Sequence, residues 1–405
     1  MNVIDLSPKP KLRENIEVMP LGDGRFILRD VVGYSDSTLI LNELSVMILS
    51  FLDGKRTESE IKNLIKSVYG IDLPEDQLKK FIKTLDEHGF LDTQNFRLMR
   101  ERVRSDYRNQ NVRKSALAGR SFPSGGKEAE EFFYSILSLF PSDFKVENLK
   151  AVLSPHIEIS NGMKIYGMVW NIIKNSLKNP DVFVVLGTSH AYSPYTFILT
   201  EKDFETPFGT LKNEKDTVKE IEKALGKDIF EDEILHKNEH SIEFQAVFIK
   251  YIFPSSRIVP VLCSASRIFL GQTVFFDEAV SKLREALFSS LKGANFVLIS
   301  ASDLAHIGVR FGDGPVDQYM ITLVRLKDIV SLWNFAQNSA KGFLDSVMED
   351  GNARRVCGLA PTYALLKITE NTEAKGNIIG WDIWVDETAS AVSFGGAFLS
   401  AQKFL

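Results

Sequence analysis

The chain has 405 residues, of which 44% are hydrophobic and 25% charged, and its formal net charge at pH 7 is -5. This is the composition of an ordinary globular protein, and the length favours two domains, because one hydrophobic core rarely serves more than about 250–300 residues. The weak negative charge gives no reason to expect nucleic acid or an anionic membrane as a partner. No apolar run is long enough to span a bilayer and the N-terminus lacks an apolar signal core, which predicts a cytoplasmic protein.

The first 95 residues carry the pattern of a small α+β domain. Residues 21–35 alternate around turn residues, as two short strands do, and three helical patterns follow over 41–54, 57–70 and 74–89. Strands followed by three short helices indicate a winged-helix-like domain. Basic and acidic residues are interleaved along these helices, so the sequence lacks the basic recognition face that DNA binding requires.

The amino-acid sequence of this segment resembles one family of small domains. The stretches "LNELSVMILSFLDGKRTESEIKNLI" and "LKKFIKTLDEHGFLD" are similar to PqqD-like peptide-binding domains, over residues 17–93. The resemblance implies that residues 1–95 bind a peptide or a partner protein, generally by adding a strand to the edge of the sheet.

A basic segment follows this domain. Residues 97–114 hold seven basic and two acidic side chains with few large apolar ones. This pattern predicts a solvated linker or linker helix over residues 96–112, with nucleic-acid contact as the minor alternative. The second domain then covers residues 113–405.

Three apolar runs of the second domain end in residues that can carry chemistry. The run "LKAVLSPH" ends at His156, "DVFVVLGTSH" ends at His190, and "ANFVLISASDLAH" continues into Asp303 and His306. Apolar runs separated by helical patterns are typical of a parallel sheet covered by helices. Ligands bind beyond the carboxyl ends of the strands in such sheets, so we expect these side chains to face one crevice.

Two further segments add candidate residues. The stretch "KNEHSIEFQAVFIKYIF" puts His240 at the beginning of an amphipathic helix, and "RRVCGLAPTYALLKI" puts Cys357 just before a helix expected to begin near Pro361. The N-terminus of a helix lowers the pKa of a nearby thiol, which makes Cys357 a candidate metal ligand or nucleophile.

Each of these residues also has a structural interpretation. A lone histidine is usually a hydrogen-bonded structural residue, and we keep that interpretation for His88 and His236. Cys263 lies in an apolar run and is expected to be a buried, inert thiol. Asp303 alone would be a helix N-cap and Glu243 alone a helix-face charge. The joint placement of four histidines, one aspartate and one cysteine at element ends favours a functional site.

This set of residues points to a metal. Two histidines with one further anionic ligand form the arrangement expected for non-haem iron, and a cysteine as third ligand makes zinc and copper competitive. With Cys357 in that role, His240, Asp303 and His306 would orient ligands or move protons to and from a substrate.

The motifs of the second domain resemble the Memo family, which includes the proteins called AmmeMemoRadiSam system protein B. The matching stretches follow in family order over residues 113–405: "RKSALAGRSFPSGG", "PHIEISNG", "LGTSH", "ETPFGTL", "NEHSIEFQ", "SASDLAH" and "VCGLAP". The resemblance implies the fold of class III extradiol dioxygenases, an α/β fold with a central, mainly parallel sheet flanked by helices. It also implies that His156, His190 and Cys357 hold the metal, while His240, Asp303 and His306 line the same pocket.

The resemblance further implies Fe(II) as the cofactor, with copper or zinc as alternatives. Dioxygenases of this class use two histidines and a glutamate, whereas this chain offers Cys357, so ring cleavage does not carry over. The stretch "PHIEISNG" also departs from many relatives, which have a His-Ala-Gly run followed by an aromatic residue.

The family name implies two partners, a radical SAM protein and a third protein of the same system. We therefore predict a metal-dependent redox enzyme that acts in this system, with an N-terminal domain that binds a peptide or a partner protein. Two other functions stay open. One is a non-catalytic adaptor that uses the pocket for recognition, and the other is a zinc-dependent hydrolase in which His240 or Asp303 activates water.

Overall fold

The computed structural model describes residues 9–21, 23–140 and 143–402. The chain divides into two compact units, the first ending at Asn109 and the second beginning at Gln110. Within the described ranges, neither unit contains a helix that combines the length and the apolar character needed to cross a membrane.

The first unit consists of a small antiparallel sheet followed by helices. The sheet has the strand order β1-β2-β3. The elements are β1 (Ile16–Pro20), β2 (Arg25–Asp30), β3 (Thr38–Asn42), α1 (Glu43–Phe51), α2 (Glu58–Tyr69), α3 (Glu75–Glu87) and α4 (Gln94–Arg108). The three predicted helices are confirmed, whereas the strand prediction over residues 21–35 is only partly right, because that range holds a single strand, β2, and the other two strands lie on either side of it.

Local signals in the sequence determine where these helices begin. Thr57 accepts a hydrogen bond from the backbone N–H of Glu60, whose side chain accepts one from Thr57 N–H, so the capping box is present. The basic segment forms α4, which buries Phe96 and Tyr107 within the first unit, and its Arg104 Nε donates to Tyr34 Oη at 3.0 Å.

The second unit is a large mixed sheet covered by helices. Its elements are β4 (Val112–Arg113), α5 (Gly126–Leu139), β5 (Leu149–Ser154), α6 (Ile159–Ser176), β6 (Val182–Thr188), β7 (Phe197–Leu199), β8 (Asp203–Thr206), β9 (Gly209–Asn213), α7 (Lys215–Leu225), α8 (His240–Ile252), β10 (Arg257–Cys263), α9 (Ser266–Phe269), α10 (Thr273–Ser290), β11 (Phe296–Ala301), β12 (His306–Gly308), α11 (Gln318–Ala336), α12 (Ala340–Met348), α13 (Leu359–Thr369), β13 (Lys375–Val385) and β14 (Ser390–Ser400). Short 3-10 turns occupy Lys227–Phe230, Glu233–His236 and Val309–Phe311.

The centre of this sheet is parallel. The strand order is β12-β14-β5-β11-β6-β10-β9-β8-β4, with β13 paired to β14 and β7 to β10. Strands β5, β11, β6 and β10 run parallel as neighbours and are almost entirely buried. The predicted fold class is therefore confirmed, and the three apolar runs that end near the candidate residues are adjacent strands.

One detail differs from the structural interpretation of Asp303. No helix begins there in the described chain, because β11 is followed by a short loop, by β12 and by a 3-10 turn, and α11 begins only at Gln318. Asp303 is therefore not a helix N-cap.

Candidate metal centre

The carboxyl ends of three neighbouring strands bring the first candidate residues together. His156, His190 and Asp303 each follow the end of their strand by two residues, on β5, β6 and β11. The middle strand β11 pairs Ala301 with Ser154 on one side and with Gly187 on the other, so the strands end level. Asp303 Oδ1 accepts a hydrogen bond from His156 N–H at 2.9 Å, which ties these two ends together.

Cys357 lies in the loop before α13, next to the carboxyl ends of β5, β6 and β11. Gly358 makes the approach possible, because a Cβ at that position would lie only 2.4 Å from Ser302 Cβ and 2.7 Å from the Asp303 carbonyl oxygen. Gly358 N–H donates to that carbonyl at 3.2 Å. As a result, Cys357 Sγ lies 3.2 Å from His156 Nε2.

Both histidines are oriented by acceptors on their Nδ1 atoms. His156 Nδ1 donates to the carbonyl oxygen of Ala301 at 2.9 Å, and His190 Nδ1 donates to the carboxylate of Glu239 at 3.0 Å. Because Nδ1 of each ring is already engaged, Nε2 is the nitrogen that remains for a metal ion. Hydrogen bonds of this kind are the usual support of metal-binding histidines.

The donor atoms of His156, His190 and Cys357 all lie within 4.8 Å of one another. Donors that share one tetrahedral ion at 2.0–2.3 Å are about 3.3–3.8 Å apart, so the spacing fits a single ion. Two imidazole nitrogens and a thiol suit iron, copper or zinc rather than magnesium or calcium. These residues therefore fit the metal that the family resemblance implies.

A second group of potential ligands, His190, Glu239 and His240, is equally compact. Its carboxylate is already occupied: Glu239 accepts hydrogen bonds from His190 N–H at 3.1 Å, from His190 Nδ1 and from Ser241 N–H at 3.0 Å. His240 Nδ1 is 3.3 Å from the same carboxylate. Glu239 thus supports histidines and is the weaker candidate for a metal ligand.

The thiol of Cys357 is acidified by its neighbours. Burial alone would raise the pKa of Cys357, but the imidazoles of His156 and His190 outweigh that effect and lower the pKa to about 7. These contacts add to the helix N-terminus anticipated from the sequence. A thiolate, the form that binds metals, is therefore accessible at neutral pH.

His190 and Glu239 form a tightly coupled pair. Loss of solvent alone would lower the pKa of His190, yet the Glu239 carboxylate and the Cys357 sulfur raise this pKa well above its ordinary value. Burial likewise opposes ionisation of Glu239, but His190 and His240 hold the pKa of Glu239 well below its ordinary value. Each partner therefore favours the charged form of the other.

His240 lies beside the two predicted ligands at the first residue of α8. Gly187 allows the helix to approach β6, since a Cβ there would lie 2.5 Å from Ile242. The His240 ring stacks on that of His190 with centroids 4.5 Å apart and meets His156 edge-on at 5.3 Å. Burial and the charge of His190 lower the pKa of His240 to about 3, so its ring is neutral at pH 7.

Asp303 and His306 occupy different depths of this region. Burial raises the pKa of Asp303 to about 6, although His306 and two backbone N–H groups oppose the rise, and Asp303 Oδ2 is 3.7 Å from His156 Nε2. His306 points its Nδ1 at the carbonyl oxygens of Leu304 and Arg355, both at 3.2 Å. It stands outside both compact ligand groups of the described chain, and burial lowers its pKa.

The residues given structural interpretations are found elsewhere. His236 is buried and its Nε2 lies 3.0 Å from the Ile198 carbonyl oxygen, while Cys263 is buried at the end of β10. Glu243 is not an ordinary helix-face charge. It is 1% exposed, forms an ion pair with buried Arg113, and accepts a hydrogen bond from Leu117 N–H at 3.1 Å.

Two supporting features were missed at the sequence level. Glu239 precedes His240 directly in "NEHSIEFQ", and a carboxylate beside a candidate histidine was the available signal. The other is a buried ion pair between Asp328 of α11 and Arg354, whose Nε and Oδ1 atoms are 3.2 Å apart. Arg354 lies three residues before Cys357, and its carbonyl accepts from His306 N–H at 2.8 Å. Residues so distant in the chain leave no local pattern.

Comparison with known proteins relates this geometry to a family. The sequence profile described as "Memo-like protein" matches residues 113–398, which is most of the second unit. The chain belongs to the Memo-like family. The predicted family is thereby confirmed, whereas the resemblance of residues 1–95 to PqqD-like domains stays a prediction.

Relatives of this Memo-like chain extend the match. A MEMO1 family protein of Aquifex aeolicus is 29% identical over 396 residues, covering 96% of this chain and 99% of the relative. One from Thermus thermophilus is 26% identical over 341 residues, covering 84% and 98%. An alignment of 396 residues includes most of the first unit, so the Aquifex aeolicus protein shares both parts of this chain.

Proposed function

We propose that this Memo-like protein is a metal-dependent redox enzyme whose ion is bound by His156, His190 and Cys357, with iron(II) favoured and copper next. The observation that supports the proposal is that one donor atom from each of these three residues lies within 4.8 Å of the other two. In both histidines Nδ1 is already engaged in a hydrogen bond. A redox-active ion with open coordination positions would supply substrate binding and electron transfer.

The surrounding residues have separate tasks in this proposal. The Glu239 carboxylate orients the His190 ring by accepting a hydrogen bond from His190 Nδ1–H. The Asp303 carboxylate fixes the backbone at His156 by accepting a hydrogen bond from His156 N–H. His240 is neutral at pH 7 and has 36% of its side chain exposed, so its ring can form a hydrogen bond with a molecule that enters from solvent, while a pKa of about 3 makes it a weak base. Asp303, with its pKa near 6, is a group that can exchange a proton close to neutral pH.

We also propose that the enzyme works with a radical SAM protein and a third protein of the AmmeMemoRadiSam system, as the family resemblance implies. In this view the first unit binds a peptide or one of these proteins. Strand β3 is an edge of its sheet and exposes Ile40, so it is the candidate for strand addition. Full-length protein that binds neither partner nor any peptide of the system would contradict this part.

The test of the metal centre is elemental analysis after anaerobic purification. We expect close to one iron or copper ion per chain in the natural protein and its loss in Cys357→Ala and His190→Ala. Matched controls are Cys263→Ala, which removes the other thiol, and His88→Ala, which removes a histidine of the first unit; both should retain the metal. Metal that persists in Cys357→Ala would contradict the ligand assignment.

The same measurement separates the other functions. The thiolate ligand also suits zinc, and a chain that carries only zinc would favour hydrolysis, with His240 or Asp303 activating water. Iron- or copper-loaded protein that consumes no oxygen with catechols, thiols or ascorbate would weaken the redox proposal. Protein that binds no metal even after reconstitution would favour the non-catalytic adaptor.

A further inference from the structure

Helix α11 carries an unusual row of exposed apolar side chains. Tyr319, Leu323, Leu326, Val330 and Trp333 are each between 42% and 70% exposed. Their spacing of four, three, four and three residues is the heptad spacing of a coiled-coil seam, which places all five on one stripe of the helix. We call these five residues the α11 stripe.

The stripe lies opposite the face by which α11 packs on its own unit. The buried face includes Val324, Asp328, Ser331, Leu332 and Phe335, half a turn away from the stripe. The helix packs against α12, β13 and β14 through that face. A helix that is apolar on both sides is normally covered on both sides, and nothing in the described part of the second unit covers the stripe.

The charged residues near the stripe already have partners within the chain. The Arg325 guanidinium lies 5.6 Å from the ring centre of Trp381, and Lys327 Nζ pairs with Glu349 at 3.0 Å and Asp350 at 2.5 Å. The stripe itself carries no charge, so charge complementarity favours neither an acidic nor a basic partner. The centre of a homodimer interface has this composition, rich in aromatic and aliphatic residues and poor in charge.

The area is also suitable. A fully exposed aromatic side chain offers about 150–250 Å², so the five partly exposed residues together provide on the order of 500 Å². That is near the upper limit for apolar patches on monomers. The exposed flanking residues Gln318 and Thr322 add to this area, so two copies would together bury at least roughly 1,000 Å², about the minimum for a specific interface.

From these observations we propose that α11 forms a homodimer interface, in which the stripe packs on the same stripe of a second copy about a two-fold axis. The second copy is the occupant because it matches the stripe in apolar character, in lack of charge and in helical spacing, and two-fold homodimers are the commonest closed assembly. The proposal does not depend on the metal or on the reaction.

The test is the mass of the full-length protein by light scattering and sedimentation over about 1–100 µM chain, a range that brackets micromolar affinities. We expect a dimer that dissociates on dilution. Leu326→Glu should raise its dissociation constant at least about 100-fold, because a carboxylate would be buried in an apolar seam. Val330→Lys should act in the same way, and both side chains are exposed, so unchanged circular dichroism and metal content should confirm the fold.

Two leucines of similar exposure provide controls. Leu98 lies on α4 of the first unit, and Leu270 lies in another apolar patch, just after α9. Leu98→Glu and Leu270→Glu should leave the dissociation constant unchanged. The proposal is overturned if the natural protein is monomeric over the whole range, or if the dimer withstands Leu326→Glu, or if Leu270→Glu weakens it equally.

Discussion

At the scale of single residues, the candidate centre is defined by the hydrogen bonds around its donors. His156 and His190 each give up Nδ1–H to a fixed acceptor, one a backbone carbonyl and the other a carboxylate. This leaves both Nε2 atoms near one thiol, Cys357, whose pKa those imidazoles lower. The three groups therefore modify one another before any ion binds.

The acidity of Cys357 gives a direct test. In metal-free protein we expect iodoacetamide to alkylate Cys357 with a midpoint near pH 7, because its pKa is about 7, while Cys263 stays unmodified because burial raises its pKa and blocks access. His156→Ala should move the midpoint upwards towards the ordinary thiol value, about 8.5–9. Mass spectrometry of each cysteine-containing peptide measures both. An alkylation midpoint that is the same with and without His156 would refute the conclusion that this imidazole lowers the pKa of Cys357.

Glu239→Gln tests the support of His190. The change keeps the size of the side chain but removes the charge that orients and polarises the imidazole, so metal affinity should fall about 10- to 100-fold. Competition with a chelator of known affinity measures it. Glu220→Gln, on the partly exposed Glu220 that pairs with Lys223, should leave the affinity unchanged. Equal affinities in all three proteins would show that Glu239 has no such role.

His236 predicts a pH dependence of stability. Burial, supported by the charge of Arg113, lowers the pKa of folded His236 to about 3, against about 6.5 in an unfolded chain. Its contribution is therefore present above about pH 6.5 and is lost as the pH falls towards 3, by up to about 1.4 kcal/mol per pH unit. In metal-free His236→Gln, the free energy of unfolding should fall less steeply between about pH 6 and 4. Parallel denaturation curves for the two proteins would refute this.

At the scale of secondary structure, the strands were easier to predict than their surroundings. The runs ending near His156, His190 and Asp303 are apolar and bounded by turn residues, so β5, β6 and β11 stand out in the sequence. Two strands of the first unit were not predicted: Ile16–Pro20 ends in proline, and Thr38–Asn42 overlaps the start of the predicted helix over residues 41–54. The chain after Asp303 also departs from the expected alternation of strand and helix, because β11 is followed by a second strand, β12, which pairs with the distant strand β14.

Gly358 tests how closely α13 must approach β11. Gly358→Ala would put a Cβ 2.4 Å from Ser302 Cβ, so Cys357 should shift and the free energy of unfolding should fall by about 1–3 kcal/mol. We also expect weaker metal binding. Gly314→Ala is the control, since a Cβ there meets no atom within 4 Å. Denaturation and metal titration of both variants make the comparison, and equal behaviour would contradict the close approach.

At the scale of the whole molecule, all the predicted metal ligands belong to one unit. His156, His190 and Cys357 lie after Gln110, and the first unit has its own core, which includes Leu28, Ile61 and Leu85. We therefore expect two transitions in calorimetry of the full chain. A chelator should lower the midpoint of one transition only, because binding stabilises the unit that holds the ion. A single transition that moves as a whole would contradict separate units.

The sequence by itself determined the fold class, the family and the list of candidate residues. Apolar runs report which strands are buried, capping residues and glycines report where helices begin and end, and these signals are local. It also favoured His156, His190 and Cys357 as ligands, and their metal binding stays a prediction.

Only the tertiary structure decided which atoms meet. Arg113 and Glu243, or Asp328 and Arg354, are far apart in the chain and pair because strands and helices bring them together. The same holds for the choice of Nε2 on each histidine, for the supporting role of Glu239 and for the exposure of the α11 stripe. Contacts of this kind depend on packing between distant segments, which leaves no pattern in neighbouring residues.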